Sequence, residues 1–258
     1  MSQQNLSFEC AIVTGGGGGI GRAIAEWLVK QGKDVVLVGR TESKLQQAAR
    51  EMGASTTYYT LDTGDVKAIP QFVQKVIREH PKVDCLINNA GVQRPLDVHN
   101  FDLAKADQEI DINIRGPMHL TINFLPYFKT KKNSLIVNVT SLLGYLPTSV
   151  INPVYNGTKA WSHFWTMNLR TQLKGTNIKV IELAPPTVAT DLHRERENPD
   201  DNKKDNNANT LSMEEYMSFT TKDWIAGKEV IGAGMSQGVV DKWYDLFGED
   251  YEKATSTE

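Results

Sequence analysis

The sequence holds only two cysteines, Cys10 and Cys85. Two thiols cannot build the disulfide framework that staples secreted domains, and they fit a reducing compartment. Long apolar runs are missing too: nothing approaches the roughly 18 consecutive apolar residues of a membrane span. No Lys or Arg precedes Arg22, so the basic start of a secretory signal is lacking. Neither charge dominates. Lys+Arg is 28 and Asp+Glu is 31, a net charge of −3, without the basic footprint of a nucleic-acid binder. The histidines, at 80, 99, 119, 163 and 193, show no metal-ligand spacing, so no metal site is expected. These absences lead us to expect a cytoplasmic chain with neither a nucleic-acid nor a membrane partner. What is present is an ordinary globular composition in 258 residues, 40% hydrophobic and 23% charged, enough to bury a substantial core.

The chain alternates strand and helix signals. Cys10-Ala-Ile-Val13 is a short apolar run, followed by a glycine-rich turn and an amphipathic helix that ends near Gly32. Val35–Val38 is apolar at every position, as in a parallel strand buried on both faces. Helical pattern returns at Glu42–Met52 and Ile69–Glu79, with Thr56–Leu61 between them as a strand. Val83–Ile87, Leu135–Val139 and Ile178–Leu183 read as further strands, Leu103–Tyr127 and Tyr155–Leu173 as long helices, and Lys228–Ile231 as a short last strand. Trp243, Tyr244 and Phe247 read as the apolar face of a closing helix. Strict alternation predicts one α/β domain over 1–258, a doubly wound parallel sheet of the Rossmann type. One stretch breaks the rhythm. His193–Leu211 is charged, rich in Asn and nearly without apolar side chains, too polar to order itself by burial, so a mobile, lid-like loop is expected at about 191–212. Ser212-Met-Glu-Glu215 is a capping box that opens the next helix.

A glycine-rich turn between a first strand and its helix leaves backbone N–H groups free beside a positive helix end, which suits a pyrophosphate. Here the spacing is Gly15, Gly19, Gly21, unlike the commonest G-x-G-x-x-G, but the strand–turn–helix context is the required one. At the end of the second strand an acid would bind the ribose 2′-OH of NAD, whereas an Arg accommodates the 2′-phosphate of NADP. Gly39 stands where the acid is expected and Arg40 follows it, which favours NADP(H).

Tyr155 and Lys159, four residues apart on a helix, point from one face. A lysine cation within about 4–6 Å should lower the tyrosine pKa by about 1–3 units and make it a proton donor and acceptor near neutrality. Ser141 follows the fifth strand, at the carboxyl edge where open α/β sheets bind ligands, and could hold a carbonyl against Tyr155. Each signal is weak alone: Tyr-x-x-x-Lys pairs are common, and a single Ser can merely cap a turn.

Together, Thr14-Gly-x-x-x-Gly-Ile-Gly21, Asn88-Asn-Ala-Gly91, Asn113, Ser141 and Tyr155-x-x-x-Lys159 resemble the short-chain dehydrogenase/reductase family over roughly residues 8–190. Ala184-Pro-Pro-Thr-Val-Ala-Thr190 looks most like its DltE-like bacterial branch. The resemblance implies a catalytic set of Asn113, Ser141, Tyr155 and Lys159. Tyr155 would be the acid/base, Ser141 would orient the carbonyl, Lys159 would bind the nicotinamide ribose, and Asn113 would hold a proton-relaying water. It also implies a cofactor cradle of Thr14, Gly15, Gly17, Gly19, Ile20, Gly21, Arg40, Asp62, Thr63, Asn89, Ala90, Gly91, Tyr155, Lys159, Pro185, Val188 and Thr190. Pro186 departs from the family's usual Gly; proline fixes φ and lacks an N–H, while the Val188 N–H remains available.

Position beside the motifs nominates Gln93, Leu142, Leu143, Tyr145 and Leu192 for the substrate. Their apolar bias favours a hydrophobic or aromatic ketone over a sugar. Trp161 and Trp165 share a helix face, and in the resembled family this helix and Leu103–Tyr127 pack against a second subunit, so a homodimer or homotetramer is expected. The reading is an NADP(H)-dependent oxidoreductase that reduces a small-molecule carbonyl to its alcohol. An NAD-dependent polyol or sugar dehydrogenase and a non-catalytic NADP(H)-binding sensor remain the alternatives. A sensor would need none of the four catalytic residues.

Overall fold

A computed structural model describes residues 4–256. Strands β1 (Cys10–Thr14), β2 (Asp34–Gly39), β3 (Thr56–Thr60), β4 (Val83–Asn88), β5 (Ser134–Val139), β6 (Ile178–Ala184) and β7 (Val230–Gly232) form one sheet in the order β3-β2-β1-β4-β5-β6-β7. Every pairing is parallel. The helices are α1 (Gly19–Lys30), α2 (Glu42–Met52), α3 (Ile69–Glu79), α4 (Leu103–Ile110), α5 (Gly116–Phe128), α6 (Pro153–Gln172), α7 (Met213–Ile225) and α8 (Met235–Thr255).

The strands are apolar at successive positions because both faces are covered. Ala11, Val13, Leu37, Ile87 and Val137 point into a core with Ile24 and Leu28 of α1, Leu45 of α2 and Trp224 of α7. Cys10, Ile12, Val38, Leu86 and Ile136 point the other way, against Phe72 and Val76 of α3, Phe124 and Phe128 of α5, and Leu169 of α6. Between β3 and β4 the chain crosses from the β3 edge back to the middle of the sheet, beside β1. The strand order therefore reverses at β1/β4, and a crevice opens at their carboxyl ends. Beneath it a buried amide ladder fixes neighbouring elements. Asn88 donates to Thr121 at 3.1 Å and to Asn138 at 2.9 Å, and Asn138 donates to Thr166 at 2.9 Å.

At three places the structure departs from or adds to the sequence reading. The helix expected over Leu103–Tyr127 is broken by a π turn at Asp111–Arg115, where Gly116 N bonds back to Asp111 O. Helical periodicity reads the same through such a widened turn, so the sequence pattern did not show it. The polar stretch after Thr190 is a chain of hydrogen-bonded turns, and His193, Asn202 and Thr210 within it are buried. Side chains hold it where apolar burial could not: Asn202 donates to Thr190 O at 3.0 Å, and Lys203 to the same oxygen at 3.0 Å. On α8, Trp243 packs on His163, but Phe247 is exposed. The capping box at Ser212 forms as expected, with both reciprocal hydrogen bonds. No helix among the described residues is long and apolar enough to cross a membrane.

Candidate active site

A cleft of about 530 Å³ runs along the carboxyl ends of the strands. One end is the glycine-rich turn. Gly18, the N-cap of α1, has no side chain to cap the helix, and its first turn holds no acid, so the end stays bare and positive. The turn is tight because Gly21 leaves no room: a Cβ there would lie 2.6 Å from Gly15 O and against the Asn89 side chain. Thr14 braces it from below. Its hydroxyl accepts from Asn89 N at 2.9 Å and Ala90 N at 3.0 Å and donates to Ile87 O at 3.2 Å. Arg40 lines the same end, its Nη1 3.9 Å from Asp62 Oδ2.

At the other end Ser141, Tyr155 and Lys159 come together from two elements. Ser141 leaves β5 in extended backbone, and its hydroxyl accepts from Leu143 N at 3.1 Å. Tyr155 and Lys159 lie on the inner face of α6, both buried, with Lys159 Nζ 5.5 Å from the tyrosine ring centroid. Lys159 donates to Val139 O at 2.7 Å. The lysine does not set the tyrosine's proton affinity in this geometry. Burial pushes the Tyr155 phenol up, and a hydrogen bond with Ser141 only partly offsets it. Burial also pushes Lys159 down to about 8, against an upward pull from Glu109. Desolvation disfavours both charged forms and outweighs the expected lysine effect.

Of the residues read from the sequence, Gly15, Gly17, Gly19, Ile20, Arg40, Asn89, Ala90, Gly91, Pro185, Val188 and Thr190 line the cleft, as do Gln93, Leu142, Leu143 and Leu192. Thr14, Gly21, Asp62 and Thr63 are not among the lining residues. Asp62 accepts from Gly64 N at 2.9 Å, capping its own turn. Asn113 sits under the floor. Its amide accepts from Val92 N at 2.9 Å and donates to Val92 O at 2.9 Å and Thr158 at 3.1 Å, which pins the side chain between Val92 and α6. Tyr145 is a correction: its hydroxyl turns from the cleft and donates to Glu182 at 2.8 Å. Pro186 is accommodated. The bridge between Val188 and Leu211 uses Thr187 O and Ala189 N, which leaves the Val188 N–H outside it.

Several lining residues were not anticipated. Thr41 and Lys44, at the start of α2, stand beside Arg40 on the cleft wall. Their spacing from Arg40 at a helix start was the available signal. Arg196 reaches in from the polar loop. It donates to Asp201 at 2.7 Å, Gln93 at 2.9 Å and Asn152 at 2.7 Å, closing the loop over the site. Nothing in the local sequence could announce a contact spanning 103 residues. Glu109 of α4 is also buried, and desolvation pushes it up to about 7 against the pull of Arg94.

Comparison with known proteins agrees with this geometry. A family model described as short chain dehydrogenase matches residues 9–201. The uncharacterised oxidoreductase DltE of Bacillus subtilis (strain 168) is 32% identical over 238 residues, 92% of each chain. A closed serine dehydrogenase complexed with NADP+ is 27% identical, covers 86% of this chain and 93% of its own, and superposes with a TM-score of 0.76. A short chain dehydrogenase/reductase of Burkholderia phymatum in complex with NAD, 21% identical, covers 98% of this chain and 97% of its own with a TM-score of 0.81, a likeness of fold.

Proposed function

Since the chain belongs to the short chain dehydrogenase family and is an oxidoreductase of that type with a nicotinamide cofactor, we propose that it reduces a small-molecule carbonyl to its alcohol with NADPH. The observation that carries this reading is one cleft with Ser141, Tyr155 and Lys159 at one end and a bare glycine-rich helix start with Arg40 at the other.

The residues present fit such a cofactor. The uncapped α1 N-terminus and the Val188 N–H offer donors without partners in their own elements. Arg40, Thr41 and Lys44 group two cations and a hydroxyl where a ribose 2′-phosphate would need them, and the Thr41 hydroxyl makes no capping hydrogen bond. When bound, the nicotinamide supplies or accepts the hydride. The protein's own residues do the rest. Ser141 and Tyr155 hold the carbonyl oxygen between two hydroxyls. Tyr155, kept protonated by burial, gives its proton to that oxygen as charge builds there. Lys159 places an ammonium next to the tyrosine and is tied to the end of β5. Leu142, Leu143 and Leu192 offer an apolar wall to the rest of the substrate. Loop 191–212 forms the roof, latched by Arg196, and moves to admit substrate.

The two buried free thiols, Cys10 and Cys85, support residence in the reducing cytoplasm. Trp161 and Trp165 stack 5.5 Å apart on α6 near exposed Phe164, and Ile122 of α5 is exposed as well; this supports assembly through α5 and α6 as a dimer or tetramer, which sedimentation at micromolar concentration would report.

The test pairs NADPH and NADH titrations, followed by fluorescence, with turnover over ketones, diketones, keto-sugars and, given the serine dehydrogenase likeness, small hydroxy acids. Preference for NADPH with turnover of a carbonyl is the expected result. Preference for NADH refutes the reading of Arg40 and Lys44. Tight binding without turnover on the whole panel favours a sensor.

A further inference from the structure

Ser141 and Tyr155 must meet one carbonyl oxygen, yet they belong to different elements, the exit of β5 and helix α6. Their relative position is set behind the cleft by a carboxylate the reaction does not touch. Glu182, on β6, is fully buried. Its Oε1 accepts from the Thr140 hydroxyl at 2.8 Å and from the Tyr145 hydroxyl at 2.8 Å. His163 Nδ1 lies 3.0 Å from the same oxygen and 3.1 Å from Oε2. Thr140 is the residue before Ser141. Tyr145 ends the turn after it. His163 is one helical turn beyond Lys159 and two beyond Tyr155, on the same face of α6. The three donors thus come from the three pieces of chain that carry the site.

The packing around this carboxylate is close. The Tyr145 and His163 rings lie 4.0 Å apart, and Trp243 stands edge-on to His163 at 4.8 Å. A Cβ at Gly144 would fall 2.6 Å from Lys159 O, so the turn after Ser141 rests on the backbone of the lysine itself. An ionised carboxylate only accepts, and it can take three donors at once, which an amide of the same shape cannot do without losing one. Burial, and after it the Glu182 charge, push the Tyr145 phenol up, so Tyr145 stays a donor.

Resting on the hydride-transfer reading above, we propose that Glu182 is a positioning residue: by gripping Thr140, Tyr145 and His163 together it fixes the distance between Ser141 and the Tyr155–Lys159 pair. A displacement near 1 Å at such a pair can cost about a hundredfold in rate. The end of the cradle that would take the phosphates, on the glycine-rich turn and the starts of α1 and α2, lies away from this contact.

The experiment compares wild type with Glu182→Gln and with Tyr145→Phe. The second removes one donor, keeps the ring, and so guards against a variant that fails to fold. Each is measured for turnover of a carbonyl substrate, for NADPH affinity by fluorescence, and for the isotope effect with deuterated NADPH. Glu182→Gln is expected to lose about 10- to 100-fold in kcat, Tyr145→Phe less. NADPH affinity should stay within about twofold, and the isotope effect should rise as the chemical step becomes slower. Folded variants that keep wild-type kcat overturn the proposal. So does a loss of kcat matched by an equal loss of NADPH affinity, the mark of general loosening. A wild-type chain that turns over no carbonyl overturns the hydride-transfer reading, and this proposal with it.

Discussion

Replacing Lys159 with Met should stabilise the fold while removing activity. The lysine is buried on α6 and donates to Val139 O at 2.7 Å, yet desolvation still moves it from 10.5 to about 8. At about 1.4 kcal/mol per unit, the charged form is some 3 kcal/mol less favourable in the folded than in the unfolded chain. The sign follows from proton counting. Below about pH 8 both states carry the charge, and the folded state bears the whole cost. Between about 8 and 10.5 the unfolded chain keeps its proton and the folded chain does not, so stability rises with pH. Met has similar volume and no charge. It removes this cost but leaves Val139 O without its donor, a loss of about 1–3 kcal/mol. The net gain at pH 7 is therefore about 0–2 kcal/mol, a rise in Tm of up to roughly 8 °C for a chain of this size. Calorimetry at pH 7 and pH 10 tests it. The gain should be larger at pH 7 than at pH 10, where it should vanish or reverse because wild type no longer buries a charge. A variant less stable at pH 7, or a difference that ignores pH, refutes the reasoning.

Other consequences are open to measurement. Tyr155→Phe should cut turnover by about 10²–10⁴ while leaving cofactor affinity unchanged. Because burial raises the phenol, carbonyl reduction should be flat in kcat from pH 6 to about 8, and the reverse oxidation should climb with pH as the base form becomes populated; a falling oxidation profile would contradict this. Gly21→Ala should cost about 1–3 kcal/mol and abolish NADPH binding, because its methyl meets Gly15 O and the Asn89 side chain; unaltered melting would show that the turn yields. Arg196→Met should release loop 191–212 from Gln93 and Asn152. Trypsin should then cut at Arg194 or Lys203 faster, and KM for the carbonyl should rise several-fold; equal cleavage would count against the latch.

The amino-acid sequence by itself determined the alternation of strand and helix, the strand–turn–helix around Gly15–Gly21, and the pairing of Tyr155 with Lys159. Each depends on a period or spacing within about a dozen residues, and burial on a sheet or helix face imposes those periods locally. It also placed Ser141 correctly, because a strand's end is local information. The π turn before Gly116 stayed hidden, since one added residue in a turn barely disturbs a helical pattern. Other features were decided only in three dimensions. Tyr145 was read as a substrate contact from its closeness to Ser141 in the chain, but Glu182, 37 residues on, turns it away from the cleft. Arg196 becomes a latch only because folding brings Gln93 and Asn152 within its reach. The proton affinity of Tyr155 was misjudged for the same reason. Spacing reveals which groups are neighbours, but only the packed structure reveals how completely water is removed from them, and here desolvation outweighs the neighbouring charge.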